Sequence, residues 1–429
     1  MHGRLLLLPT LLAAGLAAAA ETAPVDDWDD SWDEPDRQGL AWNGFVEGAA
    51  GSRWTRDPAV DRYGTLADLR LRVETEWAPE KFTLSFKGDA LYDGIEERLT
   101  GDLRELAIAG TPVGNLDAKL GRQVLTWGTG DLLFLNDLFP KDWVSFFAGR
   151  DDEYLKAPSN TLRLTQYNGI ANIDFAWTPL FQSDHYLDGQ RFSFFSPAAG
   201  EIIAPNPPLS AQDPSRSFSN GEFSLRLFRN LRGVEYALYG YRGFFKQPSD
   251  FSNPAAIGFA PLTSIGASIR RPWWSGLWNA EISYYFSRDD QSGSNPALPN
   301  DQLRILTGFE REWLTNFTVG LQYYLEWTQD HDALIDSSPT PQFEPDEYRH
   351  LLTARLTLRA MQDKLSWSLF AFISPSDRDF YLRPVVGYRY SDAWSFTAGA
   401  NLFGGRENHT FFGQFEDNNN LYVRVRYNY

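Results

Sequence analysis

Arginines recur along the chain in stretches where apolar and polar residues alternate, and they fall on the polar side of that alternation. A guanidinium group presents a planar fork of donors that binds carboxylate and phosphate groups, so a row of them along one face favours the binding of small anions. The inward, polar positions from the sixth predicted strand onward, which we call the arginine row, are Arg163, Arg226, Arg270, Arg304, Arg355, Arg359, Arg383, Arg389, Arg424 and Arg426.

Acidic residues are concentrated in a long stretch that has no strand period, residues 128–157. Carboxylates opposed to arginines across an opening would create a transverse field that orders water and selects polar or anionic solutes. The alternative interpretation is a hydrated wall on which charges are simply paired. The charged residues assigned to this stretch are Asp131, Asp137, Asp142, Arg150, Asp151 and Asp152.

The elements that must position these charges repeat with a period of two residues, as in 69–77 and 317–328, where a helix would repeat near 3.6. This pattern predicts about eighteen strands, with sixteen possible, and an even number suits a bacterial barrel. We place them at 40–54, 64–78, 81–93, 101–110, 115–127, 158–168, 170–178, 218–229, 232–243, 260–271, 277–288, 300–313, 315–329, 345–360, 364–374, 380–391, 393–404 and 419–429.

The connections between these strands alternate in length. Every second one is short, as at 78–81 and 313–315, and those between are mostly longer, as at 127–158 and 178–218. Short turns on one side and long loops on the other are typical of outer-membrane barrels. The sequence therefore predicts an all-β fold, a closed antiparallel transmembrane up-and-down barrel with both termini in the periplasm. Closure is required because an open sheet edge in hydrocarbon leaves backbone amides without partners.

The two ends of the chain indicate its destination. Residues 1–20 have a basic start, an apolar run and a small-residue cleavage site, which predicts a signal peptide. Residues 21–39 are predicted to be an acidic periplasmic tail, either solvated or able to dock a periplasmic partner or a divalent cation, and residues 40–429 to be the barrel. With no cysteine, the chain has no disulfides or thiolate metal sites, and a net charge of -17 argues against nucleic acid.

The last strand ends at an aromatic residue and carries apolar residues at alternate positions before it. It resembles the C-terminal signature of Gram-negative outer-membrane β-barrels, which implies an outer-membrane location, contact with outer-membrane lipid and recognition by the barrel-assembly machinery. The residues that form this signature are Leu421, Val423, Val425, Tyr427 and Tyr429.

The order of elements resembles that of porins, in which the third outer loop folds back into the lumen. The segment 121–128 is also similar to segments of alginate-export-type and uncharacterised porin-like barrels, although the Pro-Glu-Phe-Gly-Gly motif of general porins is absent from the sequence. The resemblance implies a third loop folded into the lumen and passive diffusion of small polar or anionic solutes through an arginine-lined lumen narrowed by loop 128–157, without an enzymatic activity, a metal or another cofactor.

Two other functions stay open. A dedicated exporter or scaffold would pass an acidic polysaccharide or hold a threaded partner, and the acidic tail would then recruit a periplasmic protein. A more remote alternative is an outer-membrane hydrolase, for which His185 and His331 are the histidines next to acidic residues in the sequence. The sequence does not indicate an oligomeric state.

Overall fold

A computed structural model describes residues 41–429, so the predicted signal peptide and acidic tail lie outside the described residues. Eighteen strands form one sheet, and a separate hairpin of two short strands lies in the connection between β7 and β10. The strands are β1 (Ala41–Arg53), β2 (Gly64–Trp77), β3 (Phe82–Asp93), β4 (Arg98–Val113), β5 (Leu116–Gln123), β6 (Ser159–Gln166), β7 (Asn172–Thr178), β8 (Phe194–Ser196), β9 (Glu201–Ile203), β10 (Glu222–Leu231), β11 (Val234–Phe244), β12 (Pro261–Trp273), β13 (Gly276–Ser287), β14 (Gln302–Leu314), β15 (Phe317–Thr328), β16 (Tyr348–Ala360), β17 (Leu365–Ser374), β18 (Asp379–Arg389), β19 (Trp394–Gly405) and β20 (Asn420–Asn428).

Two short α-helices, α1 (Trp143–Ala148) and α2 (His331–Ser337), lie in the connections after β5 and β15. The 3₁₀ segments are Asp152–Leu155, Phe218–Asn220, Pro341–Phe343 and Gly413–Asn418. None of the helices in residues 41–429 is long and apolar enough to cross a membrane.

The sheet closes on itself because the first and last strands pair. β1 and β20 are antiparallel neighbours, with Phe45 opposite Asn428, and the backbone amide of Tyr429 donates to the carbonyl of Gly44 at 3.1 Å. The hydroxyl of Tyr429 also donates to the carbonyl of Arg72 on β2 at 2.7 Å. Every barrel strand therefore has two antiparallel neighbours, and the prediction of an all-β, closed, 18-stranded antiparallel barrel is confirmed.

The wall has an apolar outer face and a polar inner face. On β2, Leu69 and Leu71 are 57% and 42% exposed, whereas the residues that follow each of them, Arg70 and Arg72, are 3% exposed. Successive side chains of a strand point to opposite faces, so the leucines lie outside and the arginines inside. This burial is the reverse of that in a water-soluble sandwich, and it is the pattern of a wall with a wet interior.

Two details differ from the sequence prediction. The fifth strand ends at Gln123 instead of 127, because Trp127 turns inward, donates its indole N–H to Asp174 on β7 at 3.2 Å and packs on Phe139 and Tyr239. The hairpin of β8 and β9 was not predicted, because three residues per strand are too few to establish a period.

Candidate functional site

Loop 128–157 lies inside the barrel and contacts inward-facing residues of the wall. Near its start, the backbone N–H groups of Thr129 and Gly130 donate to the carboxylate of Glu281 on β13, at 2.8 Å for Gly130. The next residue, Asp131, forms a forked ion pair with Arg355 on β16, in which Nη2 lies 2.8 Å from Oδ1. The first part of the loop is thus held against the wall of β13–β16.

The middle of the loop is organised by its own polar residues. Asp137 pairs with Lys141 at 3.0 Å between Nζ and Oδ1. Asp142 caps helix α1, because its Oδ1 accepts the backbone N–H of Ser145 at 2.7 Å, and Gly149 ends the helix with a left-handed φ of 85°. Asp137 and Asp142 therefore shape the loop and do not face the arginine row.

Aromatic side chains pack helix α1 against the wall. Phe146 contacts Tyr381 on β18 with ring centroids 5.8 Å apart, and Phe147 contacts Phe403 on β19 at 5.5 Å and Phe415 at 5.1 Å. Such aromatic pairs contribute about 0.5–1.5 kcal/mol each beyond the burial of their area. This apolar cluster inside the barrel fixes one side of the loop on β18 and β19.

Arg150 joins the loop to a further part of the wall, strands β2 and β3. Its Nε and Nη2 donate to Asp68 on β2 at 2.7 and 3.2 Å, and Nη2 also donates to Asp93 at the end of β3 at 2.8 Å. Asp93 in turn accepts Arg191, which lies in the connection between β7 and β8. Because all four side chains are buried, this network ties two inner segments to the wall of β2 and β3.

The next two residues meet the arginine row. Asp151 accepts from Arg424 at 3.0 Å and from Arg426 at 3.2 Å, both on β20. Asp152 accepts from Arg383 on β18 at 2.9 Å. Together with Arg355, four arginines of the row therefore bind carboxylates of loop 128–157.

Three arginines outside the predicted row surround Tyr154. The guanidinium carbons of Arg70 and Arg104 lie 3.9 and 4.8 Å from the centre of its ring. Its hydroxyl accepts Arg72 at 2.6 Å and donates to Asp89 at 2.8 Å. Arg70 and Arg72 lie at inward positions of β2 and could have been predicted from the alternation, but the predicted arginine row began only at the sixth strand.

The remaining arginines of the row have other surroundings. Arg359 and Arg389 are exposed beside the short turns after β16 and β18, and they make no ion pair with the described residues. The other four pair with carboxylates of the wall: Arg163 with Asp174 at 2.6 Å, Arg226 and Arg270 with Glu235 at 2.8 and 3.1 Å, and Arg304 with Glu326 at 3.3 Å.

His185 joins a second connection to loop 128–157. Its Nδ1 lies 3.2 Å from Oδ2 of Asp142, and this hydrogen bond raises the pKa of His185 above its ordinary value. Burial raises the pKa of Asp142, but the hydrogen bond and the charge of His185 outweigh burial and lower that pKa to about 2. The contact is therefore an ion pair at mildly acidic pH.

The histidines considered for hydrolysis are not arranged as a nucleophile and its base. The hydroxyl of Ser145 donates to Asp142 at 2.7 Å instead of contacting His185. Nε2 of His331 is hydrogen-bonded to the carbonyl oxygen of Pro345 at 2.9 Å. Within residues 41–429, no group of three or more His, Asp or Glu side chains is placed to hold a metal ion.

The barrel has counterparts among solved structures. It superposes on OccK2 (OpdF) of Pseudomonas aeruginosa in complex with glucuronate, with a TM-score of 0.54 and 10% identity over 91% of this chain and 97% of that chain. OccK5 (OpdH) of the same species gives a TM-score of 0.52 with 10% identity over 90% and 97% of the two chains. OccAB3 of Acinetobacter baumannii gives 0.51 with 11% identity over 90% and 98%.

These likenesses, at such low identity, show a shared barrel fold. No protein-family model matches the sequence, and no curated protein sequence does. The likeness to alginate-export-type barrels that the sequence suggested is not shown by these structures, and the shared fold is that of the OccK and OccAB barrels.

Proposed function

We propose that this chain is a porin-like channel of the bacterial outer membrane, through which small polar or anionic solutes diffuse passively. Loop 128–157 narrows the lumen, and the arginine row lines it. The observation that carries the proposal is that the loop is held on opposite sides of the inner wall. Gly130 donates to Glu281 on β13, and Arg150 pairs with Asp68 on β2, nine strands away in the eighteen-stranded barrel. A loop held in this way reduces the bore without needing to move, and the proposal requires no cofactor and no catalysis.

The outer face of the wall supports the membrane location. Aromatic side chains lie at both ends of the strands, as expected for rings that rest at two membrane interfaces. At the short-turn end these are Trp77, Trp273, Trp313, Trp394 and Tyr427, and at the long-loop end Tyr92, Phe223, Phe286, Tyr348 and Phe380. We further propose that the short turns and both termini face the periplasm.

The last strand supports the same location. Leu421 and Val423 are each 54% exposed and point outward, and Val425, Tyr427 and Tyr429 follow at the same parity. We propose that this outward row contacts outer-membrane lipid and is the segment that the assembly machinery recognises. A periplasmic partner for residues 21–39 is a further proposal.

The preference for anions rests on unused donors of the arginine row. Arg359 and Arg389 are exposed at the short-turn end and pair with no carboxylate of the described residues, so their guanidinium donors are open to a solute. An arginine fork with a free donor suits a carboxylate. OccK2, whose structure contains glucuronate, has a similar barrel, so a small carboxylate is the solute class that we propose.

Planar-bilayer recording of the purified chain tests the channel. We expect stepwise increases of conductance, in which each step is the insertion of one open channel. A bilayer that remains sealed after verified insertion of folded protein would overturn the proposal.

The role of the loop is tested by a single thiol, because the chain has no cysteine of its own. Asp152 has a half-exposed side chain, so Asp152→Cys should react with a negatively charged methanethiosulfonate and lose part of its unit conductance. Glu407→Cys, 58% exposed in the connection between β19 and β20, is the matched control and should keep its conductance after the same treatment. Equal conductance at position 152 before and after labelling would place the loop outside the conducting path.

A further inference from the structure

Three arginines point outward on consecutive hairpins of one sector of the wall. Arg229 on β10 stands opposite Tyr236, Arg271 on β12 opposite Trp278, and Arg311 on β14 opposite Val319. All three lie near the short-turn end of their strands. By parity, the outward face of β10–β14 within the described residues carries no Asp or Glu, so this end of the sector has one sign of charge.

Arg311 is held between two tryptophan rings. Its guanidinium carbon lies 5.2 Å from the ring centre of Trp274 and 5.0 Å from that of Trp313, and these two rings meet edge to face at 5.7 Å. Its Nε is buried without a hydrogen-bond partner in the described part of the chain, and no carboxylate there pairs with it. A cation that is partly desolvated in this way gains from an anion that approaches along the free edge of its fork.

An apolar groove of about 700 Å³ runs along the same sector. Its lining residues include Ala267 and Ala280, whose small side chains leave a hollow among larger ones such as Leu238 and Trp278, and Arg229 also lines it. Its other outward-facing lining residues are Leu227, Tyr236, Ile269, Ile282, Ile305 and Thr307.

We propose that this sector binds an anionic phospholipid of the periplasmic leaflet. The phosphate lies between Arg271 and Arg311, and an acyl chain lies in the groove beside them. Strands are about 4.8 Å apart, so Arg271 and Arg311 on alternate strands are about 10 Å apart across the sheet, a gap that two arginine side chains can close on one phosphate. Charge complementarity favours an anionic lipid, because the outward face supplies cations beside an apolar groove. It has no carboxylate to bind the basic groups of a protein partner. The proposal rests on the proposed membrane location.

Native mass spectrometry of the full chain in detergent tests this site, with dioleoyl-phosphatidylglycerol as the probe and dioleoyl-phosphatidylcholine as the zwitterionic comparison. We expect retention of the phosphatidylglycerol in preference to the phosphatidylcholine. The double variant Arg271→Ala/Arg311→Ala should lower the bound fraction at least fivefold. Arg242→Ala, which removes an exposed outward arginine of β11 at the long-loop end, is the matched control and should leave binding unchanged.

A second variant tests the groove without changing charge. Ala267→Trp should fill the hollow that the small Ala267 side chain leaves and lower lipid retention by a similar factor. Equal binding by wild type and both variants, or equal retention of the two lipids, would overturn the proposal. The proposal would also be overturned if the wild type were an oligomer that Ala267→Trp dissociates without loss of lipid binding. The groove would then hold a second copy of the chain instead of a lipid. Since neither variant touches the lumen, both should keep the wild-type conductance, so a chain that binds lipid but does not conduct contradicts only the channel proposal.

Discussion

Gly149 faces the ring of Tyr422 so closely that a side-chain carbon at position 149 would overlap the ring. Gly149 ends helix α1 in loop 128–157, and Tyr422 lies on the inner face of β20. The φ of Gly149 is also 85°, a conformation that residues with a side chain rarely adopt. The contact brings the loop directly onto the wall just before it turns to present Arg150 and Asp151.

We predict that Gly149→Ala displaces the loop. Overlap with Tyr422 and the positive φ should together cost about 1–3 kcal/mol of unfolding free energy, and the unit conductance should rise and become noisier as the loop leaves the wall. Urea unfolding in vesicles and planar-bilayer recording measure the two effects. Gly169→Ala is the control, because no atom lies within 4 Å of an added carbon there. Identical behaviour of the two variants would contradict the inferred contact.

Arg150→Gln should destabilise the barrel strongly. Removing this buried cation leaves Asp68 without its partner and weakens the pairing of Asp93, and breaking a buried ion pair typically costs about 3–5 kcal/mol. Arg406→Gln breaks an exposed pair with Glu407, so we expect a loss of at most about 1 kcal/mol. Urea unfolding of both variants in vesicles measures the difference, and losses of equal size would show that the Arg150 network is not a main anchor of the loop.

The wall was predictable from the sequence because lipid outside and water inside impose a strict period of two residues. Strands such as β2 and β15 end within one or two residues of their predicted limits. The fifth strand was predicted four residues too long because apolar residues such as Leu125 and Trp127 follow its end at Gln123, and their types do not show that Trp127 leaves the strand to bind Asp174 inside the barrel.

The partners of the inner charges were not predictable in the same way. Parity assigns Arg355 and Arg226 to the same face, yet one binds Asp131 of the loop and the other Glu235 of the neighbouring strand. The difference depends on where the loop lies in three dimensions, and the loop has no period of its own. Tyr154, which holds the loop on β2 and β3, carried no sequence signal for the same reason.

Neutralising the arginines that meet the loop should reduce anion preference. In Arg355→Gln/Arg383→Gln, the partners Asp131 and Asp152 keep their charge, so the lumen becomes more negative beside the loop. The reversal potential in a salt gradient should then shift toward that of a cation-preferring channel. Arg406→Gln removes an exposed charge between β19 and β20 and should leave the reversal potential unchanged. An unshifted reversal potential in the double variant would remove the selective role of the arginine row.

His185 should titrate above its ordinary pKa because protonation creates the ion pair with Asp142. The raised pKa means that the stabilisation is fully present below about pH 6.5 and is lost as the pH rises through the folded-state pKa. At the acidic end the stabilisation disappears as Asp142 becomes protonated near pH 2.

NMR of the imidazole protons should therefore show a titration midpoint of His185 above 6.5 in the wild type and a lower midpoint in Asp142→Asn. The signal of His409, in the connection between β19 and β20, serves as an internal reference that Asp142→Asn should not move. A His185 midpoint that is the same in wild type and variant would mean that Asp142 does not hold the proton on the ring.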